Sequence, residues 1–399
     1  MKYFGFIASS VSFMAIFAAS ATPIPLYDIY RRSDGLSYSD LSLTAVVYFV
    51  GAVTALLFFG RISNHLGRKP VTLLSFALAA VACVIFLDVD SATPLIIGRL
   101  LLGLSCGLAS STVTSYIVDN APPALHWLAA AIVSCGGMIG LTLGALASGS
   151  LAEYGPYPEI LCYLVILVVL AICTVLVMFS PETVKRTPGI LASLRPRFSM
   201  PHADRRLYPV AACTFVATWA LGGFYQAFGP SIAADQLGSQ NALTAALVFS
   251  SFMLPSAVGG PLNKFLTPVN AQRIGMISFT LALGAILLSL KMSAIFLFLT
   301  TSALAGIAQG VTLTGSIRSL LADIAPQERA GVLSLIYATS YTGAAIPSFI
   351  SGQLSHFMNL FQLAVCYAFL AGVGCLITLL FARSPHHEDV MTPVTHSSS

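Results

Sequence analysis

Charge is what this chain has least of: only 9% of its 399 residues are Asp, Glu, Lys or Arg, against 57% hydrophobic, with a mean hydropathy of +0.87. Soluble domains run at about 25% charged, so a water-exposed globule of this size is excluded. Long polar stretches are scarce as well. Apart from the carboxy-terminal tail the longest is Pro181 to Leu207, which leaves no room for a soluble catalytic or receptor domain. The eight cysteines (Cys83, Cys106, Cys135, Cys162, Cys173, Cys213, Cys366, Cys375) lie in apolar runs without CxxC spacing. They read as packing residues, neither metal ligands nor disulfide partners. The histidines His65, His126, His202, His356, His386, His387 and His396 fall in loops or the tail, and no metal or other cofactor is expected. None of the 15 acidic residues falls in the middle of an apolar run, and no cluster of nucleophile and base does either, which argues against an intramembrane enzyme. The net charge of +4 gives no nucleic-acid patch, because the bases are scattered among short loops.

What the chain does have is apolar runs long enough for a bilayer, each about 20 residues. They fall at 4–26, 41–60, 70–88, 93–117, 127–150 and 158–180, then at 208–230, 241–262, 273–290, 293–317, 330–354 and 360–382. Only helices satisfy their own backbone in lipid, so this pattern predicts an all-α membrane protein of twelve transmembrane helices in two pseudo-symmetric six-helix bundles. The expected organisation is residues 1–180 as the first bundle, 181–207 as a basic cytoplasmic linker, 208–383 as the second bundle and 384–399 as a disordered tail. Met1-Lys2 and a run reaching Ala19-Ser20-Ala21 also fit a cleavable signal, but the run from Phe4 to Leu26 exceeds a signal core of about 7–15 residues, which favours an uncleaved span.

With both termini inside, fifteen bases face the cytoplasm and only Arg31, Arg32 and Lys291 face outward, the bias that short loops obey. The halves repeat. Gly103-xxx-Gly107 answers Gly306-xxx-Gly310, and Gly140, Gly144 and Gly149 answer Gly343, Pro347 and Gly352. Asp119-Asn-Ala-Pro122 answers Asp323-Ile-Ala-Pro326, and Gly60-x-Ile62-Ser63-Asn64 faintly answers Gly260-x-Leu262-Asn263-Lys264. Repeated six-helix halves mark transporters with a site at their interface.

Between the second and third runs lies Gly60-Arg61-Ile62-Ser63-Asn64-His65-Leu66-Gly67-Arg68-Lys69. This stretch resembles the loop between spans 2 and 3 of the major facilitator superfamily, Gly-x-Leu-Ala-Asp-Arg-x-Gly-Arg-Lys/Arg, matching at Gly60, Gly67, Arg68 and Lys69. Arg99-xxx-Gly103-xxx-Gly107 resembles the superfamily's span-4 pattern, and Ser180-Pro181-Glu182-Thr183 its Pro-Glu-Thr after span 6. The likeness covers the whole chain and is nearest to bacterial efflux permeases of the drug or arabinose-efflux type. It implies a cytoplasmic latch in which Arg68 pairs with Asp119, with Asp323 as the second-half counterpart. The family's loop Asp, which faces the amino end of span 11, is Asn64 here, and the following Arg is His65. Loss of that charge at a helix terminus implies a latch weaker by about 0.3–1 kcal/mol. The alternative is a solvated positive-inside turn with no gating role.

Arg99 lies about six residues, roughly 9 Å, below the outer end of span 4, and a charge at that depth suggests function, with snorkelling as the alternative. Asp28 is its nearest candidate partner, unless it pairs with Arg31 or Arg32. Further candidates to line a central cavity are Tyr48, Thr112, Trp219, Tyr225, Gln226, Gln309, Tyr337 and Tyr341, with Thr114, Thr312 and Thr342 beside them. Each could equally serve an interhelical hydrogen bond. Such a lining suits a neutral or weakly charged amphipathic solute, since a dianion needs more than one buried base. The glycines of 136–149 suit close helix packing, without the Gly-Pro pair of the superfamily's drug antiporters. Pro23, Pro25 and Pro347 are expected to kink their helices.

The sequence therefore predicts a secondary transporter working by alternating access, a proton-coupled exporter by resemblance, monomeric, in a bacterial-type inner membrane. An uncoupled facilitator or importer of a small polar metabolite is the alternative, favoured by the absence of a mid-span carboxylate. A membrane-embedded enzyme or sensor on the same scaffold is more remote.

Overall fold

The computed structural model describes residues 2–188, 193–195, 207–322, 324 and 329–383. Asp323 and the tail 384–399 lie outside the described residues, as does most of the linker. The long helices are α1 (Lys2–Ala21), α2 (Tyr38–Thr54), α3 (Arg68–Ile85), α4 (Ala92–Asn120), α5 (His126–Tyr154) and α6 (Leu161–Phe179) in the first half. The second half holds α7 (Tyr208–Asp235), α8 (Ala242–Leu262), α9 (Pro268–Lys291), α10 (Ile295–Leu321), α11 (Arg329–Leu354) and α12 (Leu360–Phe381). Ten of these are long and apolar enough to cross a membrane; α7 and α11, at 28 and 26 residues, are long enough but less apolar. The end of the molecule where 181–207 runs is called the linker side below, and the opposite end the distal side.

Local chemistry sets the ends. Ser37 with Asp40 and Asn359 with Gln362 form capping boxes at the distal starts of α2 and α12, satisfying amide groups that have no partner inside the helix. Asn241 and Thr267 cap α8 and α9 in the same way. The first run is not one helix. Pro23 and Pro25 cannot donate backbone hydrogen bonds, so α1 gives way at Thr22 to a 3-10 turn (Ile24–Leu26) and a short helix (Tyr27–Ser33). Pro347, by contrast, sits inside an unbroken α11. At its linker end α2 loosens into a π-helical turn (Ala55–Phe59) before Gly60.

Packing reproduces the sequence repeat. Gly103 and Gly107 of α4 lie against the Tyr48 and Ala52 carbonyls of α2, and Gly306 and Gly310 of α10 against the Phe252 and Ser256 carbonyls of α8. Gly140 and Gly144 of α5 meet Met14 and Ala18 of α1, as Gly343 of α11 meets Val216 of α7. These contacts leave no room for a Cβ, so each pair is drawn together backbone to backbone through small residues. Polar contacts repeat as well: the Lys69 ammonium donates to the Met178 carbonyl closing α6 (2.8 Å), and the Arg273 guanidinium to the Ala382 carbonyl just past α12 (2.9 Å).

The halves meet along two seams, α5 against α8 and α2 against α11, with α7 also touching α2.

Candidate functional site

Both seams are tightest on the distal side. Gly149 packs on Ala242 and Ala246, Gly352 on Ser42, and the Ser42 hydroxyl donates to the Ser348 carbonyl. Glu153 at the end of α5 accepts from the amide of Ala242 at the start of α8 (2.9 Å). Above these contacts Arg31 joins Asp28 (2.8 Å) in its own half and Asp235 (2.9 Å) in the other, while Arg32 takes the second oxygen of Asp28 (2.7 Å). Tyr38 donates to Asp235 and carries Arg31 over its ring at 5.0 Å. Asp28 therefore belongs to this seal. It does not meet Arg99, because the two nearer arginines, one helical turn on, take both of its oxygens.

Toward the linker side the α5–α8 seam opens into a cavity of about 440 Å³. Met138 and Cys135 line it from α5, Trp219 from α7, Ser256 from α8, and Gln309 and Thr314 from α10. The Cys135 thiol bridges the seam to the Ala257 carbonyl (3.5 Å). Two of the lining residues have hydrogen-bonding capacity left over. The Trp219 indole N–H has no partner, and the Gln309 amide nitrogen donates to Thr218 O (3.2 Å), which leaves its carbonyl oxygen as an acceptor. The α2–α11 seam holds a second, more apolar hollow of about 290 Å³ lined by Phe49 and Tyr341. The two are separated by a stack at the centre of the molecule, in which Trp219 packs on Tyr341 (ring centres 4.9 Å apart) and Tyr341 on Phe49 (6.2 Å).

Arg99 is fully buried, seven residues into α4, and does not snorkel. Its Nη1 donates to the Ser20 carbonyl (2.7 Å) and its guanidinium lies 4.3 Å from the centre of the Tyr48 ring. Nε and Nη2 have no partner, and no carboxylate among the described residues pairs with the group. Tyr48 in turn lies 5.4 Å from Phe49, so one aromatic layer separates Arg99 from the central stack.

Four further expected lining residues do not line either cavity. Tyr225 stacks on Phe252 (4.9 Å) and bonds the Ser302 hydroxyl inside the second half, an interhelical role. Thr112 and Gln226 are buried. Tyr337 stands exposed on α11.

On the linker side Arg68 reaches Asp119 (3.1 Å), and its Nη1 donates to Asn64 Oδ1 and to the Ser63 hydroxyl (both 2.7 Å). Asn64 thus serves Arg68 in its own half. The residue missing from the sequence-based loop is Glu182. Its carboxylate accepts from the Arg68 and Lys69 amides at the start of α3 (2.8 and 3.0 Å), where the helix dipole favours an anion. Thr183 bonds Asp119 (3.0 Å) and Thr187 bonds His65 through both backbone (3.0 Å) and side chain (3.1 Å). The segment after α6 is therefore tied onto the loop of its own half. The Pro-Glu-Thr run was the available signal for Glu182. Nothing in the sequence joins Arg31 to Asp235.

With this geometry in hand, comparison with known proteins gives three results. The sequence model of the Major Facilitator Superfamily matches residues 6–268 and 210–395. Among curated proteins the chain is similar to the multidrug resistance protein MdtL of Klebsiella pneumoniae, 36% identical over 73 residues, 18% of this chain and 19% of that one. It is also similar to the arabinose-proton symporter of Bacillus subtilis, 25% identical over 161 residues, 36% of this chain and 33% of that one. The matches span a fifth to a third of these relatives' length. Among solved structures, a bacterial homologue of the human lysosomal transporter Spinster, crystallised inward-facing, aligns over 96% of this chain and 97% of its own with a TM-score of 0.77 at 14% identity, a likeness of fold.

Proposed function

Since the chain belongs to the Major Facilitator Superfamily, we propose that it exports a small, neutral or weakly charged amphipathic solute by alternating access, driven by a proton gradient. It is a transporter, not an enzyme. The observation that carries the reading is one-sided closure. The two halves are locked on the distal side by Arg31, Asp235 and the Gly149 and Gly352 contacts, while a chamber large enough for a small molecule opens between them toward the linker side. The charge bias of the loops supports a cytoplasmic linker side, with both termini inside a bacterial-type inner membrane. Trp219 and Gln309 would supply one donor and one acceptor to a ligand held mainly by apolar contacts, as in small-molecule sites generally. Export is supported by similarity to a multidrug resistance protein, and proton coupling by similarity to a proton symporter. The loop around Arg68 and Asp119 would act as the linker-side latch, its ion pair made within the first half in the arrangement described here.

A second reading, an uncoupled facilitator or importer, is favoured by one fact: among the described residues every acid near a helix sits at an end of it. Flux in proteoliposomes separates the two. Under the first reading an imposed pH gradient accelerates uphill movement, and flux that ignores the gradient overturns coupling. Trp219→Ala is expected to lower substrate affinity tenfold or more, read as a smaller ligand-induced rise in unfolding temperature.

A further inference from the structure

We propose that Arg99 anchors a negatively charged group of the transported solute, which makes the substrate an organic monoanion, a carboxylate on an apolar body. This rests on the reading that the solute passes between the halves. A charge held in the middle of a membrane protein is expensive and is normally met by a carboxylate. Among the described residues only two charged side chains are buried, Arg99 and Asp28, and Asp28 is fully engaged by Arg31 and Arg32. Arg99 is thus a lone positive charge, and its remaining contacts are neutral: the Ser20 carbonyl at one end and the Tyr48 ring on one face.

Which atoms are free is informative. Nη1 is used, and the unpartnered pair is Nε with Nη2. Those two N–H groups point the same way along one edge of the guanidinium, and that edge matches the two oxygens of a carboxylate. One base matches one negative charge, so a dianion such as a phosphate ester is disfavoured. The apolar body has its place in the adjacent aromatic layer, Tyr48 to Phe49 to Tyr341 to Trp219, which leads to the chamber beside Met138. Tyr48 stands on α2 and Tyr341 on α11, so rocking of the halves shifts these rings past each other and opens the path to the arginine.

The test uses the purified full-length chain and three probes on one frame: 1-naphthylacetate, its carboxamide and the corresponding primary amine. Binding is read by quenching of tryptophan fluorescence and by thermal shift. The acid is expected to bind wild type at least tenfold more tightly than the amide, and the amine more weakly still. In Arg99→Gln that preference disappears while the affinity for the amide is kept, and Arg99→Lys retains part of it. Equal affinity for acid and amide overturns the proposal. So does tighter binding of the amine, binding of none of the three, or an acid preference that survives Arg99→Gln. A fluorescence and thermal response to chloride or nitrate equal to that of the acid also counts against it, as an inorganic anion site. If Arg99→Gln fails to fold, the wild-type ranking with Arg99→Lys still decides. Failure of the transport reading shows itself separately, as absence of flux of any probe in proteoliposomes together with no ligand-dependent change in labelling of a cysteine placed at Ser39.

Discussion

Gly67 carries two constraints at once: a φ of +102°, and a position where a Cβ would stand 2.6 Å from the Glu182 carboxylate. Gly67→Ala should therefore destabilise the protein by about 1–3 kcal/mol, seen as a lower unfolding temperature in detergent. Glu182→Ala removes the acceptor at the start of α3 and is expected to cost about 0.5–2 kcal/mol in the same assay. Arg68 and Asp119 are partly exposed, at 12% and 32%, so their pair contributes about 0.2–1 kcal/mol. Arg68→Ala should accordingly slow transport while leaving membrane insertion and yield unchanged, measured by flux per inserted protein.

Among the elements, the glycine seams are the stiffest part of the design. Gly103→Leu or Gly306→Leu would drive a side chain into a backbone carbonyl of the facing helix, costing about 1–3 kcal/mol or more, and the expected outcome is a loss of monodisperse protein on gel filtration. The spacing of these glycines is plain in the sequence because lipid forces every segment into a helix, where small residues four apart share one face. Their partners are not, since Tyr48 and Phe252 are met through carbonyls that any residue would offer. The break in the first run was readable from Pro23 and Pro25, whereas Pro347 stands inside a helix that continues past it. Arg99 was legible as a buried charge. The residues around it were less so: Asp28 lies on the turn beyond the Pro23–Pro25 break, and Tyr225 turns into its own half, two orientations that linear spacing does not encode.

At the scale of the whole molecule, two halves joined by few polar contacts are expected to exchange between arrangements. Arg31→Ala removes the ion pair that crosses the distal seam, leaving Asp235 to Tyr38. A pair this exposed is worth about 0.2–1 kcal/mol, so the population open on the distal side should rise by a factor of roughly 1.4 to 5, measured as spin-label distances across that seam. The seam was invisible in the sequence because it depends on which loops of two separately folded halves come face to face.

For as long as the distal seal holds, the packing of Gly149 and Gly352 is the point about which the linker-side arms would swing. With the fulcrum there, the arm of α5 from Gly149 to His126 is about 35 Å long at 1.5 Å per residue, so a swing of about 10° carries its far end about 6 Å. A bulky substituent at either glycine would act as a wedge under the hinge, splaying the long arms through a displacement several times its own width.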